Sequence, residues 1–156
     1  IQAAIGRIQL RRIDDWHHAR RGNANAILEV CERYPLLFRV PRPPDYIEHG
    51  WYKCYVFVRL KGLKSDWSRD RLIKEISTRG VPCYYGTCSE VYLEKAFDDT
   101  NFRPTERLPI AKELGETSLM FLVHPTLTKD EVALTCSVID EVSEMSSAKT
   151  LNINEQ

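Results

Sequence analysis

The sequence predicts an α+β fold, a small and mainly antiparallel sheet covered by helices and preceded by a long helix. Three observations carry this expectation. Residues 1–34 contain no proline, and apolar residues return at three- and four-residue steps, Ile1, Ile5 and Ile8 first, then Ile27, Cys31 and Tyr34, which is the spacing of a helix face. "GWYKCYVFVRLKG", residues 50–62, sets Tyr52, Cys54, Val56 and Val58 in alternation with Trp51, Lys53, Tyr55, Phe57 and Arg59, the period-two pattern of a strand. Beyond it, short apolar runs alternate with helical stripes, the pattern of a small sheet with helices packed on it.

Taken in order, residues 1–34 form one or two helices. An unbroken helix of that length would span about 50 Å, more than a compact domain of this size needs, so it is expected to reach outward to other protein. Its stretch "RRIDDWHHARR" has acids between the basic residues, the composition of a solvated or interface helix rather than of a nucleic-acid stripe. "LLFRVPRPPDY" is a short strand ended by Pro41, Pro43 and Pro44, residues that cannot continue a ladder. After the strand of residues 50–62, Ser68 caps a helix carrying Leu72, Ile73 and Ile76 that stops at Gly80. "VPCYY" is a short strand. "GTCSEVYLEKAF", residues 86–97, reads as a helix start with Thr87 and Glu90 at capping-box spacing; "DDTNFRPTE" is a loop. Pro109 opens a short helix through Leu114 that Gly115 closes. "SLMFLVHP" is a central strand buried on both faces, and Thr128 with Glu131 forms a second capping box before a helix with Val132, Cys136, Ile139 and Val142 on one stripe. The chain thus divides into a connecting helical region over 1–34, a small domain over 35–146 and a frayed tail over 147–156.

Bulk properties narrow the function classes. With 22 basic and 22 acidic residues the chain has no net charge, so it lacks the basic balance of nucleic-acid binders. No apolar run approaches the roughly 20 residues of a membrane-spanning helix. Five cysteines, an odd number, lie mostly inside predicted helices and strands, which favours reduced thiols in a cytoplasmic protein. The chain starts on "IQAAIGRIQL", without methionine and already in helical register, and is expected to be part of a longer protein.

Of the candidate chemistries, metal binding has no matching ligand spacing: Cys83 and Cys88 are far in sequence from His124, and His17 and His18 are adjacent on a helix and point to different faces. Cys88, next to an expected helix N-terminus, has one route to a lowered thiol pKa but no identifiable base. Neither the dinucleotide-binding glycine pattern nor a P-loop is present. The start of residues 86–97 would offer free backbone amides to an anion, and Tyr84, Tyr85 and Tyr92 add flat faces for a sugar ring. A structural helix start and a ligand-facing one both remain open at this point.

Four segments in register, "IQAAIGRIQLRRIDDWHHARR", "GWYKCYVFVR", "GVPCYYGTCSEVYLEKAF" and "LPIAKELGETSLMFLVHPTLTKDEV", resemble the DegT/DnrJ/StrS sugar aminotransferases, pyridoxal-phosphate (PLP) enzymes of the aspartate-aminotransferase fold. The likeness runs from residue 1 to about 143. It implies the C-terminal small domain of an enzyme that moves an amino group from a donor, usually glutamate, to a nucleotide-linked keto sugar destined for bacterial surface polysaccharide. It also implies that the Schiff-base lysine, the cofactor-stacking aromatic and the acid on the pyridine nitrogen lie upstream in a PLP-binding domain; Lys53, Lys95 and Lys112 do not match the family's lysine motif. The chain alone is then expected to be inactive and without bound cofactor. Its partners would be that domain, a second subunit in a homodimer, the nucleotide sugar and the amino donor, with neither nucleic acid nor membrane. Tyr84, Tyr85, Gly86, Ser89, Glu90 and Tyr92 are the residues expected beside the substrate cleft, with His124 as a further candidate. The alternative is a free-standing binding module that reuses the fold.

Overall fold

A computed structural model describes residues 1–148. Helix α1 (Gln2–Leu10) buries no residue, and Ile1, Ile5, Ile8 and Leu10 are all exposed. The expected long helix is interrupted at Arg11 and Arg12, where the Arg12 N–H turns back to the Gln9 carbonyl at 3.0 Å, and α2 (Ile13–Glu32) starts afresh. Asp14 and Asp15 in the first turn of α2 suit the positive end of its dipole. Only the second half of α2 is buried, through Ala24, Ile27, Leu28, Val30 and Cys31.

Four strands, β1 (Phe38–Arg39), β2 (Cys54–Val58), β3 (Cys83–Tyr84) and β4 (Ser118–Phe121), form one sheet in the order β1-β2-β4-β3, and every pairing is antiparallel. The register sorts their side chains into two faces, because successive residues of a strand point to opposite sides. Phe38, Val58, Val56, Cys54, Leu119, Phe121 and Cys83 share the inner face and are all buried. Against it lie α2, α3 (Arg69–Thr78) with Leu72, Ile73 and Ile76, and α5 (Lys129–Ser146) with Val138, Ile139 and Val142. Each such fully buried aliphatic side chain contributes about 1.5–3 kcal/mol. Arg39, Phe57, Tyr55, Ser118, Met120 and Tyr84 share the outer face. The interior strand β4 is buried at all four residues, as its apolar run predicts.

Both expected helix starts that flank the core are present. The Ser68 hydroxyl accepts from the Arg71 N–H, and the Thr128 box is complete, with the Thr128 hydroxyl accepting from the Glu131 N–H and the Glu131 carboxylate accepting from the Thr128 N–H. The chain leaves α3 through Gly80 at φ 84°.

Several expectations need correction. No α-helix forms over 86–97: the segment makes two 3-10 turns, Val91–Leu93 and Lys95–Phe97, and Glu90 does not cap Thr87. The Glu90 carboxylate is taken instead by Arg107 and the Tyr92 hydroxyl, an ionic bond that outcompetes a local capping bond. Strand β2 is five residues long, not thirteen, because Trp51 sits at φ 44°, off the extended conformation, and Leu60–Gly62 curl into a 3-10 turn. Helix α4 (Pro109–Thr117) runs past Gly115 to the first residue of β4. The Arg69 guanidinium donates to the Gly115 carbonyl at 3.0 Å, so no glycine stop is needed there. Of the tail, Ser147 bridges Leu63 and Ala148 donates to the Gly62 carbonyl; the remainder of the expected tail lies outside the described residues.

Candidate functional site

The outer face of the sheet is roofed by the chain between β3 and β4. Gly86 begins this roof at φ 94°, a left-handed conformation that favours glycine. A side chain there would also collide with a neighbour, since a Cβ would come within 2.5 Å of the Tyr55 ring. Ser89 then packs against α4, its hydroxyl lying where a Cβ on Gly115 would have to go. Two arginines fix the rest of the roof. Arg103 donates to the carbonyls of Tyr92 at 2.9 Å and Leu93 at 3.1 Å and to the Asp98 carboxylate at 2.5 Å. Arg107 donates through Nε to Glu90 Oε1 at 2.9 Å and through Nη2 to Glu90 Oε2. Tyr92 donates its hydroxyl to Glu90 at 2.7 Å and accepts from the Leu108 N–H at 2.9 Å, which ties the roof to the start of α4.

These contacts define the electrostatics. The Arg107 guanidinium, with the Tyr92 hydroxyl second, pulls the Glu90 carboxyl down to about 2. Desolvation, with the Glu90 contact second, pushes the Tyr92 hydroxyl up. Glu90 is therefore an ionised brace at neutral pH. Between roof, sheet and α4 lies a groove of about 560 Å³ lined by Tyr55, Phe57, Thr87, Ser89, Leu108 and Ile110, closed by α4 and Ser118.

The structure brings six of the seven expected site residues into one stretch. Tyr84 and Tyr85 are half exposed, Gly86 lies over the Tyr55 ring, Ser89 lines the groove, and Glu90 and Tyr92 hold each other. His124 lies apart from them. Phe121 pairs with Cys83 and Met120 with Tyr84, so the chain after β4 runs away from residue 85, and His124 lines a separate cavity with Gly80, Val81 and Pro82. Its Nδ1 is 2.8 Å from the Thr126 hydroxyl, and its carbonyl accepts from Asn23. Cys88 does not start a helix; its thiol donates to Glu94 Oε1 at 3.4 Å. Burial pushes the thiols of Cys54 and Cys83 up to about 12 and that of Cys31 up as well. Among the described residues, no group of three or more histidine, cysteine, aspartate or glutamate side chains is placed to hold a metal ion, and no helix is long and apolar enough to cross a membrane.

A PLP site needs a lysine amine inside a pocket, a carboxylate on the ring nitrogen and donors around the phosphate. None of the described lysines is buried. Lys53, half-buried, sits 5.6 Å from the Tyr52 ring centre, and Lys64 donates to the Met145 carbonyl. The described residues do not form such a cradle.

Tyr55, Phe57, Leu108 and Ile110 were not expected at the site. The alternation in residues 50–62 carries a signal for the first two: aromatic residues opposite a buried Cys54-Val56-Val58 row imply a second covered face.

Comparisons with known proteins agree with this architecture. The DegT/DnrJ/EryC1/StrS aminotransferase family model matches residues 1–142. The X-ray structure of the aminotransferase from Psychrobacter cryohalolentis superposes with a TM-score of 0.89 at 52% identity, covering 92% of this chain and 38% of that one. The GDP-4-keto-6-deoxy-D-mannose-3-dehydratase of E. coli, solved with bound hydrated PLP, shares the fold at a TM-score of 0.68 and 19% identity, over 87% of this chain and 34% of its own. The erythromycin biosynthesis sensory transduction protein EryC1 of Saccharopolyspora erythraea is 25% identical over 130 residues, 83% of this chain and 33% of EryC1. The chain thus spans between a third and two fifths of the length of these relatives. With a family model covering nearly all of its described residues, the chain belongs to the DegT/DnrJ/EryC1/StrS aminotransferase family.

Proposed function

We propose that this chain is the C-terminal small domain of a PLP-dependent aminotransferase that carries an amino group from glutamate to a nucleotide-linked keto sugar for bacterial surface polysaccharide. The observation that carries this reading is the 52% identity to the Psychrobacter cryohalolentis aminotransferase across 92% of the chain. The dehydratase, at 19% identity, supports the fold alone. In this reading the intact protein is a cytoplasmic homodimer whose cofactor, when bound, supplies the electron sink, and the exposed apolar row of α1 faces the remainder of the enzyme.

The chain's own work is binding and orientation. Tyr84 and Tyr85 offer half-exposed rings to a sugar or base. Gly86 lets the backbone turn tightly over Tyr55, and Ser89 bounds the groove. Glu90 and Tyr92 keep that wall rigid through Arg107 and Leu108; already occupied by a guanidinium, Glu90 holds the wall rather than moving a proton. His124 would be a separate contact at the far end of β4.

The test compares the chain alone with the longer protein that contains it. The chain alone is expected to show neither the visible absorbance of lysine-bound PLP nor transamination, and the longer protein to show both. A lysine-bound cofactor band from the chain alone overturns this reading.

A further inference from the structure

Arg69, the first residue of α3, stands outside every residue so far placed at the site. Its side chain is only 12% exposed. Nη1 donates to the carbonyls of Gly115 at 3.0 Å and Ser118 at 3.1 Å, and Nε donates to Asp70 Oδ1 at 2.7 Å. The guanidinium carbon lies 4.6 Å from the centre of the Tyr85 ring. Ser118, whose carbonyl Arg69 engages, donates its hydroxyl to the Tyr85 carbonyl at 2.5 Å. Tyr85 is therefore gripped at its ring by Arg69 and at its backbone by Ser118, while 53% of it stays open to solvent.

That arrangement differs from the other arginine contacts of the roof. Arg103 and Arg107 bond to backbone and carboxylate and hold a loop closed. Arg69 holds an exposed aromatic face in a set plane. An aromatic ring on a loop has two rotatable side-chain bonds, and presenting its face to a sugar or base requires that both be fixed before the ligand arrives, a cost otherwise met on binding. Stacking on a guanidinium already tied to two carbonyls fixes them.

The geometry points to Arg69 as the positioning residue for Tyr85, setting the plane in which that ring meets the sugar or base of a nucleotide sugar. This rests on residues 84–92 being a wall of the substrate cleft. Lysine keeps the charge but has neither the plane nor the fork, so it separates positioning from a simple electrostatic role.

The test uses the intact enzyme and whichever of UDP-glucose, dTDP-glucose and GDP-mannose it binds most tightly. Calorimetry gives the Kd for Arg69→Lys, Tyr85→Leu and the double variant. Each single change is expected to weaken binding about five- to tenfold, and the double no further than either, the signature of coupled residues. Ile76→Val, a core change on the same helix, should lower the melting temperature and leave the Kd unmoved. If no probe binds, or Tyr85→Leu has no effect, the cleft reading falls and this inference with it. If Tyr85→Leu weakens binding but Arg69→Lys does not, or if the two add, Arg69 is not the positioning residue although the cleft stands. Should Arg69→Lys fail to fold, Arg69→Gln, which retains a planar donor without the charge, takes its place under the same criteria; loss of fold in both assigns Arg69 to the scaffold and overturns the inference.

Discussion

The two faces of the sheet are held by different forces. On the inner face, Leu119, Phe121, Val56 and Cys54 are almost wholly removed from solvent against α2, α3 and α5, and the non-directional exclusion of water does the holding. On the outer face, Tyr55 and Phe57 are only partly covered. The roof over them is held by Arg69, Arg103 and Arg107 reaching carbonyls and a carboxylate across long stretches of chain. Exclusion of water has no preferred direction; arginine bonds to named carbonyl and carboxylate atoms do. A surface that must present particular side chains in particular directions is better built the second way, and the candidate site is on that face.

The inner face should respond most strongly to substitution. Phe121→Ala removes a ring that is 1% exposed and is expected to cost about 3–5 kcal/mol in chemical denaturation; a loss under about 1 kcal/mol would mean that the helices are not anchored by this row. A backbone change at the roof comes next. Gly86→Ala places a side chain at φ 94° and against the Tyr55 ring, with an expected loss of about 1–3 kcal/mol and a shift of the Tyr55 ring signals by NMR. An alanine accepted without loss would show that the roof is not seated on Tyr55.

The smallest effect, and the one most specific to the outer face, concerns a proton. Because the folded state holds the Glu90 carboxyl down to about 2, below its ordinary range, the folded state binds fewer protons there than the unfolded chain. The Glu90 pair thus supports the fold fully above the ordinary carboxylate range, and its support is lost as pH falls towards about 2. Arg107→Gln removes the largest cause of the depression. Glu90 is then expected to titrate nearer the ordinary range in a side-chain NMR titration, and the variant's acid unfolding curve to be flatter over that interval. An unmoved titration would assign the depression to Tyr92.

The same division governs how much was legible in the sequence. Ser68, Thr128 and Glu131 cap their helices because the partner groups are three residues away in sequence, and the apolar run of β4 announces an interior strand. Thr87 and Glu90 carry the same local signal and fail, because Arg107, seventeen residues on, offers Glu90 a charged partner. The six residues 84–92 singled out do come together, since they are neighbours in the chain, whereas His124 is parted from them by the antiparallel course of β3 and β4. Arg69, Leu108 and Ile110 had no signal of their own: an arginine in a first helical turn and apolar residues in a short helix are unremarkable until a sheet and a loop are laid beside them.

Composition and periodicity alone were enough for the α+β class, the helices of the core and the inner apolar row, because burial and capping depend on residue type and short-range spacing. The two 3-10 turns in place of a helix, the occupied state of Glu90 and the grip of Arg69 on Tyr85 came only with the folded chain. Each depends on which distant group arrives at a given backbone or side-chain atom, and a competition among hydrogen-bond partners is settled by distance in space rather than by order along the sequence.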